Sequence, residues 1–271
     1  MTESVDLTPG QVDIDTPSAA RLYDYLLGGA YNFAADRALA RKYLAGHPDA
    51  RVLVRLNRDF LRRSVQFLLH AGIRQFLDVG SGLPTIGNVH EIAQRGAADA
   101  RVVYVDQDAT AVAHGRLILE DNRLATVVRA DLTRPDDVFG ESGTQALLDF
   151  RRPVGLLMVG VLQFVRPEQD LAGVLAGYRA GLAPGSWLVV SQLCGAPPRA
   201  AADIESTDDS MTNDRKPVHS RSVSEIADLF AGFDLAEPGV VPTPRWRPDS
   251  IPAERDDLHK SAMLAGVGRR R

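Results

Sequence analysis

The residues best suited to ligand chemistry lie where an apolar run meets a Gly-x-Gly turn, Phe76-Leu77-Asp78-Val79-Gly80-Ser81-Gly82-Leu83-Pro84-Thr85. Glycines at 80 and 82 let the backbone turn sharply and approach a bound molecule closely. A helix opened by such a turn presents N–H groups to an anion. A second apolar run, Arg101 to Asp106, ends in a carboxylate 26 residues after Gly80 (106 − 80), where it can accept both hydroxyls of a ribose. Asp106 also has a plainer reading as a helix N-cap, although Asp108 can take that part. The pair reads as a nucleoside-cofactor site. The third glycine of the dinucleotide fingerprint GxGxxG falls on Thr85, which disfavours a pyrophosphate and favours S-adenosylmethionine, which has no phosphate.

The elements that must hold these residues follow from punctuation and periodicity. Thr16-Pro17 reads as an N-cap with proline at the first helical position, and Gly28-Gly29 as a stop, giving a helix over 17–27. A second helix is predicted over 33–44. A third, long one runs from Pro48 to Gly72, with Leu53, Leu56, Phe60 and Phe67 on one face and Arg51, Arg55, Arg58 and Arg62 on an opposite face read as solvated. From Gln75 onward, strand-length apolar runs alternate with helical stretches, which argues for a parallel sheet covered on both sides. Strands are predicted at 75–79, 101–105, 125–129, 153–159, 186–191, 233–236 and 262–267, with helices at 86–95, 108–120, 167–182 and 222–231. Residues 1–15 lack periodicity and read as a loose arm. Gly195 to Ser220, rich in Ala, Pro, Asp and Ser, is too long for an ordinary connection and reads as a lid or a substrate wall.

Composition bounds the partners. With 271 residues, 45% of them apolar, the chain can bury the core of one α/β domain, read here as an N-terminal arm and helical lid over 1–74 and a Rossmann-like core over 75–271. A formal net charge of −4 argues against nucleic acid, and the terminal Arg269-Arg270-Arg271 reads as a solubilising end. The single cysteine, Cys194, cannot form an internal bridge, and neither a leader nor a membrane-length apolar run is evident, so a cytoplasmic location is expected. The oligomeric state is left open, a homodimer included.

Beyond these physical signals, the run Pro17 to Arg37, containing Arg21-Leu-Tyr-Asp-Tyr-Leu-Leu-Gly-Gly-Ala-Tyr-Asn32, resembles the N-terminal signature of an actinobacterial S-adenosylmethionine-dependent methyltransferase family formerly filed as a domain of unknown function. The likeness continues through Asn57 to Arg62, Leu77 to Thr85, Asn88 to Glu91, Val102 to Asp106, Ala130 to Leu132, Arg152 to Val154, Glu237 to Val241 and Trp246 to Pro248. The resemblance implies a class I methyltransferase fold: a seven-stranded, mostly parallel sheet whose last strand is antiparallel, with helices on both faces and extra N-terminal helices. Two departures stand out. Leu162-Gln163-Phe164 replaces an aromatic or histidine pair after the fourth strand, and an amide such as Gln163 cannot be a general base near neutrality. Val89 stands where the family pattern has threonine.

The resemblance implies a role for each site residue. Gly80, Ser81 and Gly82 pass beneath the methionine part of the cofactor, with N–H groups around Gly82 to Thr85 for its carboxylate and Pro84 in an early helical turn. Asp106, with Gln107 beside it, takes the ribose; Asp131 and the Leu132 N–H take the adenine, unless Asp131 is a plain turn residue. Gly160 and Val161 lie under the transferring methyl group. Tyr23, Tyr25 and Tyr31 are aromatic groups for the sulfonium or adenine, or core. Asn32 and Asp24 bind the methionine amino group or cap the Gly28-Gly29 turn. His90 reads as support behind the Gly loop, and His219 is the histidine better placed to touch the acceptor, with Arg221 and Trp246 at the same mouth. No metal site is expected.

Methyl transfer from a sulfonium needs alignment and desolvation more than a base, so a methyltransferase acting on a small molecule is the leading reading. A non-catalytic cofactor-binding or regulatory protein is the alternative that Gln163 raises. An NAD-dependent oxidoreductase is disfavoured by Thr85.

Overall fold

The computed structural model describes residues 13–84, 87–195, 218–249 and 262–271. The N-terminal arm up to residue 12, most of the 195–220 segment and Thr85 lie outside them. Three helices come first: α1 (Ala19–Leu27), α2 (Ala34–Gly46) and α3 (Ala50–His70). The α1 cap is Ser18, whose hydroxyl accepts from the Arg21 N–H, and not Thr16; a serine one residue past the proline places its oxygen over the orphan donor. Pro48 precedes α3 instead of opening it.

Then follow β1 (Gln75–Val79), α4 (Val89–Gly96), β2 (Arg101–Asp106), α5 (Ala109–Ile118), β3 (Ala125–Arg129), α6 (Pro135–Gly140), α7 (Ser142–Leu147), β4 (Gly155–Val159), α8 (Leu171–Gly181) and β5 (Trp187–Leu193). The chain closes with α9 (Val223–Asp228), β6 (Phe233–Leu235), β7 (Val241–Pro242) and β8 (Met263–Arg270). The sheet order is β3-β2-β1-β4-β5-β8-β6; β1 to β5 are parallel, and β8 runs antiparallel between β5 and β6, with β7 an extra two-residue strand on β8. The predicted seven-stranded class I sheet is therefore present with one short addition. Helices α6 and α7 had no periodicity to announce them, since six residues span less than two turns.

Alternation along the buried strands sorts the core. Leu77, Val79, Val103, Val105, Leu156 and Met158 pack against α8 through Val174, Leu175 and Tyr178. Phe76, Val102, Tyr104, Leu157 and Val189 face the other way, onto Phe60, Leu61, Val65 and Leu68 of α3 and Val89, Ile92 and Ala93 of α4. A third, smaller cluster of Leu26, Ala50 and Val54 joins α1 to α3.

Register places the site. Val79 pairs with Val105, Asp106 with Arg129 and Val159 with Ser191, so the carboxyl ends of β1 to β5 form one edge. The connections leave β1 towards β2 and β3 and return to β4 on its other side, and ligands of open α/β sheets bind at such a switch point.

Candidate active site

A cleft of about 1570 Å³ opens along that edge, walled by the strand tips on one side and by α1, α2 and α3 on the other. At its floor the chain leaves β1 through Gly80 and Gly82, both at positive φ (71° and 63°). The Gly80 and Ser81 N–H groups both donate to the Val105 carbonyl, at 2.8 and 3.1 Å, which ties the turn to β2. A Cβ on Gly80 would stand 2.1 Å from Val161 Cγ2, so this glycine is demanded by the close approach of the β4 tip as well as by its φ. A Cβ on Gly82 meets only Ala20, at 3.8 Å, and would project into open cleft.

Asp106 links the two strand tips. One carboxylate oxygen accepts from the Gly82 N–H at 2.8 Å and the other from the Asp108 N–H at 2.9 Å. Asp108, not Asp106, caps α5 by accepting from the Thr110 N–H, so the plainer reading of Asp106 does not describe it. Asp131 binds the Thr133 N–H and hydroxyl, both at 2.9 Å, in an Asx turn on the cleft wall, and the Leu132 carbonyl accepts from Tyr178. Gly80, Ser81, Gly82, Asp106, Gln107, Asp131, Leu132, Gly160, Val161 and Tyr23 all line this one cleft. Helix α4 starts only at Val89, after Asn88, so Pro84 lies in the buried loop before it and not in a first helical turn.

Other candidates are not brought to the cleft. Asn32 lies outside its lining; its side-chain amide donates to Asp24 (3.0 Å) and to the Gly29 carbonyl (2.9 Å), closing the turn after α1. Tyr25 carries the Arg51 guanidinium on its ring, and Tyr31 is exposed against His114. His90 is buried against the Tyr104 hydroxyl, 2.8 Å from Nδ1, and burial lowers its pKa. Arg221 does not line the mouth; it donates to the Leu162 carbonyl at 2.9 Å and so braces the loop after β4. Trp246 is fully buried between Phe60 and Phe67. It belongs to the apolar cluster under α3, and the buried Arg63 donates to its carbonyl at 3.0 Å.

The structure adds three residues that sequence reasoning passed over. Asp78 is buried in β1, lines the cleft, and has its carboxyl pushed up to about 7 by burial; the Arg58 charge opposes that rise and the Asp106 charge adds to it. A lone carboxylate inside an apolar strand was the available signal. Arg58 is not on a solvated face: it lines the cleft with its guanidinium 5.6 Å from the centre of the Tyr23 ring. Asn57 donates to the Tyr23 hydroxyl at 3.1 Å and accepts from Ser191 at 2.6 Å, pinning α1 and α3 to the tip of β5. Helical spacing puts Arg58 beside Arg51 and Arg55, but periodicity cannot reveal that another helix, α1, covers that face.

Among the described residues no group of three or more His, Cys, Asp or Glu side chains could hold a metal ion. None of the described helices is long and apolar enough to cross a membrane.

A family profile described as S-adenosyl methyltransferase matches residues 6–271. A candidate methyltransferase of known structure from Thermobifida fusca is 39% identical, with a TM-score of 0.87, covering 99% of this chain and 100% of that one. A DUF574 family protein from Streptomyces avermitilis is 33% identical, with a TM-score of 0.88, covering 96% and 99%. More distantly, a Burkholderia thailandensis 1,6-didemethyltoxoflavin-N1-methyltransferase, holding 1,6-didemethyltoxoflavin and S-adenosylhomocysteine, is 18% identical over 86% of this chain and 88% of that one, with a TM-score of 0.49. No curated protein matches the chain in sequence. The cleft fits the cofactor the profile implies, with a glycine turn open to the ligand, Asp106 at the end of β2 and Asp131 just after β3. The resemblance carried by the motifs is thus borne out: the chain belongs to the S-adenosyl methyltransferase family, and it is a class I, S-adenosylmethionine-dependent methyltransferase.

Proposed function

We propose that the enzyme methylates a small molecule bound in the same cleft as its cofactor. The observation that carries this is size: ligand pockets run to roughly 300–1,000 Å³, and this continuous cleft of about 1570 Å³ has room for two ligands end to end. The chemistry the cofactor supplies when bound is a methyl group already activated on a positively charged sulfur.

The residues divide the labour along the edge. Asp106 accepts the ribose hydroxyls; each carboxylate oxygen offers more than one lone pair, so the backbone bonds it makes to Gly82 and Asp108 orient it for a diol. Gly80, Ser81 and Gly82 underlie the methionine part, Asp131 and Leu132 the adenine, and Gly160 and Val161 the methyl end. Among the described residues no histidine lines the cleft, and Gln163 is not basic, so alignment and exclusion of water are the levers these residues offer. Helices α1 and α2 act as a lid, with Tyr23 as the aromatic group over the site.

Calorimetry on the full chain tests the reading. S-adenosylmethionine and S-adenosylhomocysteine should bind and NAD should bind much more weakly. An acceptor screen should give turnover with small organic molecules and none with protein or nucleic acid; turnover on a macromolecule alone would overturn the proposal.

A further inference from the structure

The loop after β4 says more about the acceptor, on the basis of the small-molecule reading above. Gln163 is 8% exposed and lines the cleft. Its Nε2 donates to the Gly160 carbonyl at 2.7 Å; a carbonyl can be served only by the NH2 end of the amide, so Oε1 is the end left over. That oxygen is buried and without a partner.

Two atoms of the same junction share this condition. Gln192 spends its Nε2 on the Leu193 and His219 carbonyls, at 3.2 and 2.8 Å, which leaves Oε1 buried and unpartnered. His219, whose backbone N–H donates to the Gln163 carbonyl at 2.7 Å, has an unpartnered buried Nε2. Buried polar atoms in native proteins are nearly always paired; of these three residues Gln163 alone lines the cleft, so its Oε1 is the atom to which a ligand can bring a partner. Around them the cleft wall is apolar, with Val161, Phe164, Leu193, Val218 and Met263, and Arg166 at the end of that loop is exposed.

We infer that Gln163 recognises the methyl acceptor, its fixed Oε1 receiving an N–H or O–H from a neutral small molecule whose flat apolar body rests on the surrounding wall. An anion would bring only acceptors to the orphaned amide oxygen of Gln163. Gln163 removes no proton; it orients the acceptor by a hydrogen bond.

The test uses the full chain saturated with S-adenosylhomocysteine and three probes: 2-naphthol, its methyl ether, and 2-naphthoate. 2-Naphthol should bind at least about tenfold tighter than the other two, because a site built around a donor rejects analogues lacking it. In Gln163→Leu the preference over the ether should fall below about twofold. In the wild-type protein, the side-chain amide resonance of Gln163 should move with 2-naphthol and not with the ether, a readout that holds even if the variant fails to fold. Equal affinities, no binding of either naphthalene, tighter binding of 2-naphthoate, a preference surviving in Gln163→Leu, or an amide resonance indifferent to the donor would each overturn the assignment. Failure of S-adenosylhomocysteine itself to bind would overturn the cofactor site and this assignment with it.

Discussion

Asp106 and Asp78 sit on neighbouring strands and face opposite demands. Asp106 is half-buried, and its two carboxylate oxygens each hold a backbone donor. On the proposed role of Asp106, Asp106→Ala removes an acceptor of two ribose hydroxyls, each charge-assisted bond being worth about 1.5–3 kcal/mol, and calorimetry should show S-adenosylhomocysteine affinity falling at least tenfold. Asp78 is buried with its pKa raised to about 7. Its folded value lies above the unfolded one, so the native state holds a proton that the unfolded chain gives up near pH 4. The contribution of Asp78 to stability is therefore full below that pH and is lost as pH rises to about 7. Asp78→Asn should raise Tm at pH 8 relative to wild type, with the gain shrinking towards pH 5; at this size each kcal/mol relieved is worth roughly 2–4 °C. A gain of the same size at both pH values would mean that the charge of Asp78 carries no cost. Sequence made Asp106 legible because a carboxylate at a strand tip is a positional signal. It hid the weight of Asp78, since the cost of a buried charge depends on how completely the fold covers it and on Arg58, which arrives from α3.

At the scale of elements, the Gly turn and the α1–α2 pair are the parts most open to test. Gly80→Ala places a methyl group on Val161 as well as forcing a left-handed backbone, whereas Gly82→Ala carries only the backbone cost of roughly 1 kcal/mol. Thermal melts should therefore show Gly80→Ala markedly less stable than Gly82→Ala. Gly82→Val, whose branched side chain would stand in the open cleft, should stay folded by circular dichroism and lose cofactor binding. A buried ion pair, Arg21 to Asp36 at 2.7 Å, ties α1 to α2, and Asp36 also accepts from the Ser18 and Phe33 N–H groups. Removing one partner of such a pair costs about 3–5 kcal/mol, so Arg21→Met should speed hydrogen exchange across Ala19–Gly46 while strands β1 to β5 keep their protection. If the pair is a lid, Tyr23 to Asn32 should gain protection when S-adenosylhomocysteine is added to wild type; unchanged protection there, beside clear protection at Gly80 and Gly82, would make it a fixed cap. Helices α1 to α3 were readable from their caps and period because each spans at least two turns. The brevity of α6 and α7 hid them, and residue types at the termini could not tell Thr16 from Ser18, which differ only in which oxygen reaches the Arg21 N–H.

For the whole molecule, β1 to β5 were legible as buried apolar runs, while the cleft was legible along its strand-tip side and, on the helical side, at Tyr23. The other side, with Asn57, Arg58 and Lys42, depends on how three helices lean across the sheet edge, and no local pattern encodes that angle. The position of β8 has a bearing on biosynthesis. Among the described strands it bridges β5 to β6, yet its first residue follows the last of β5 by 70 positions (263 − 193). On a ribosome working at roughly 5–20 residues per second, the seven-residue edge of β5, Trp187-Leu-Val-Val-Ser-Gln-Leu193, stands without its partner for seconds after it is made. An apolar edge strand left waiting is a template for pairing with another chain. Slowed translation between these two strands should accordingly lower the soluble yield, and a nascent chain arrested before Met263 should be a substrate for chaperones that the finished enzyme no longer engages.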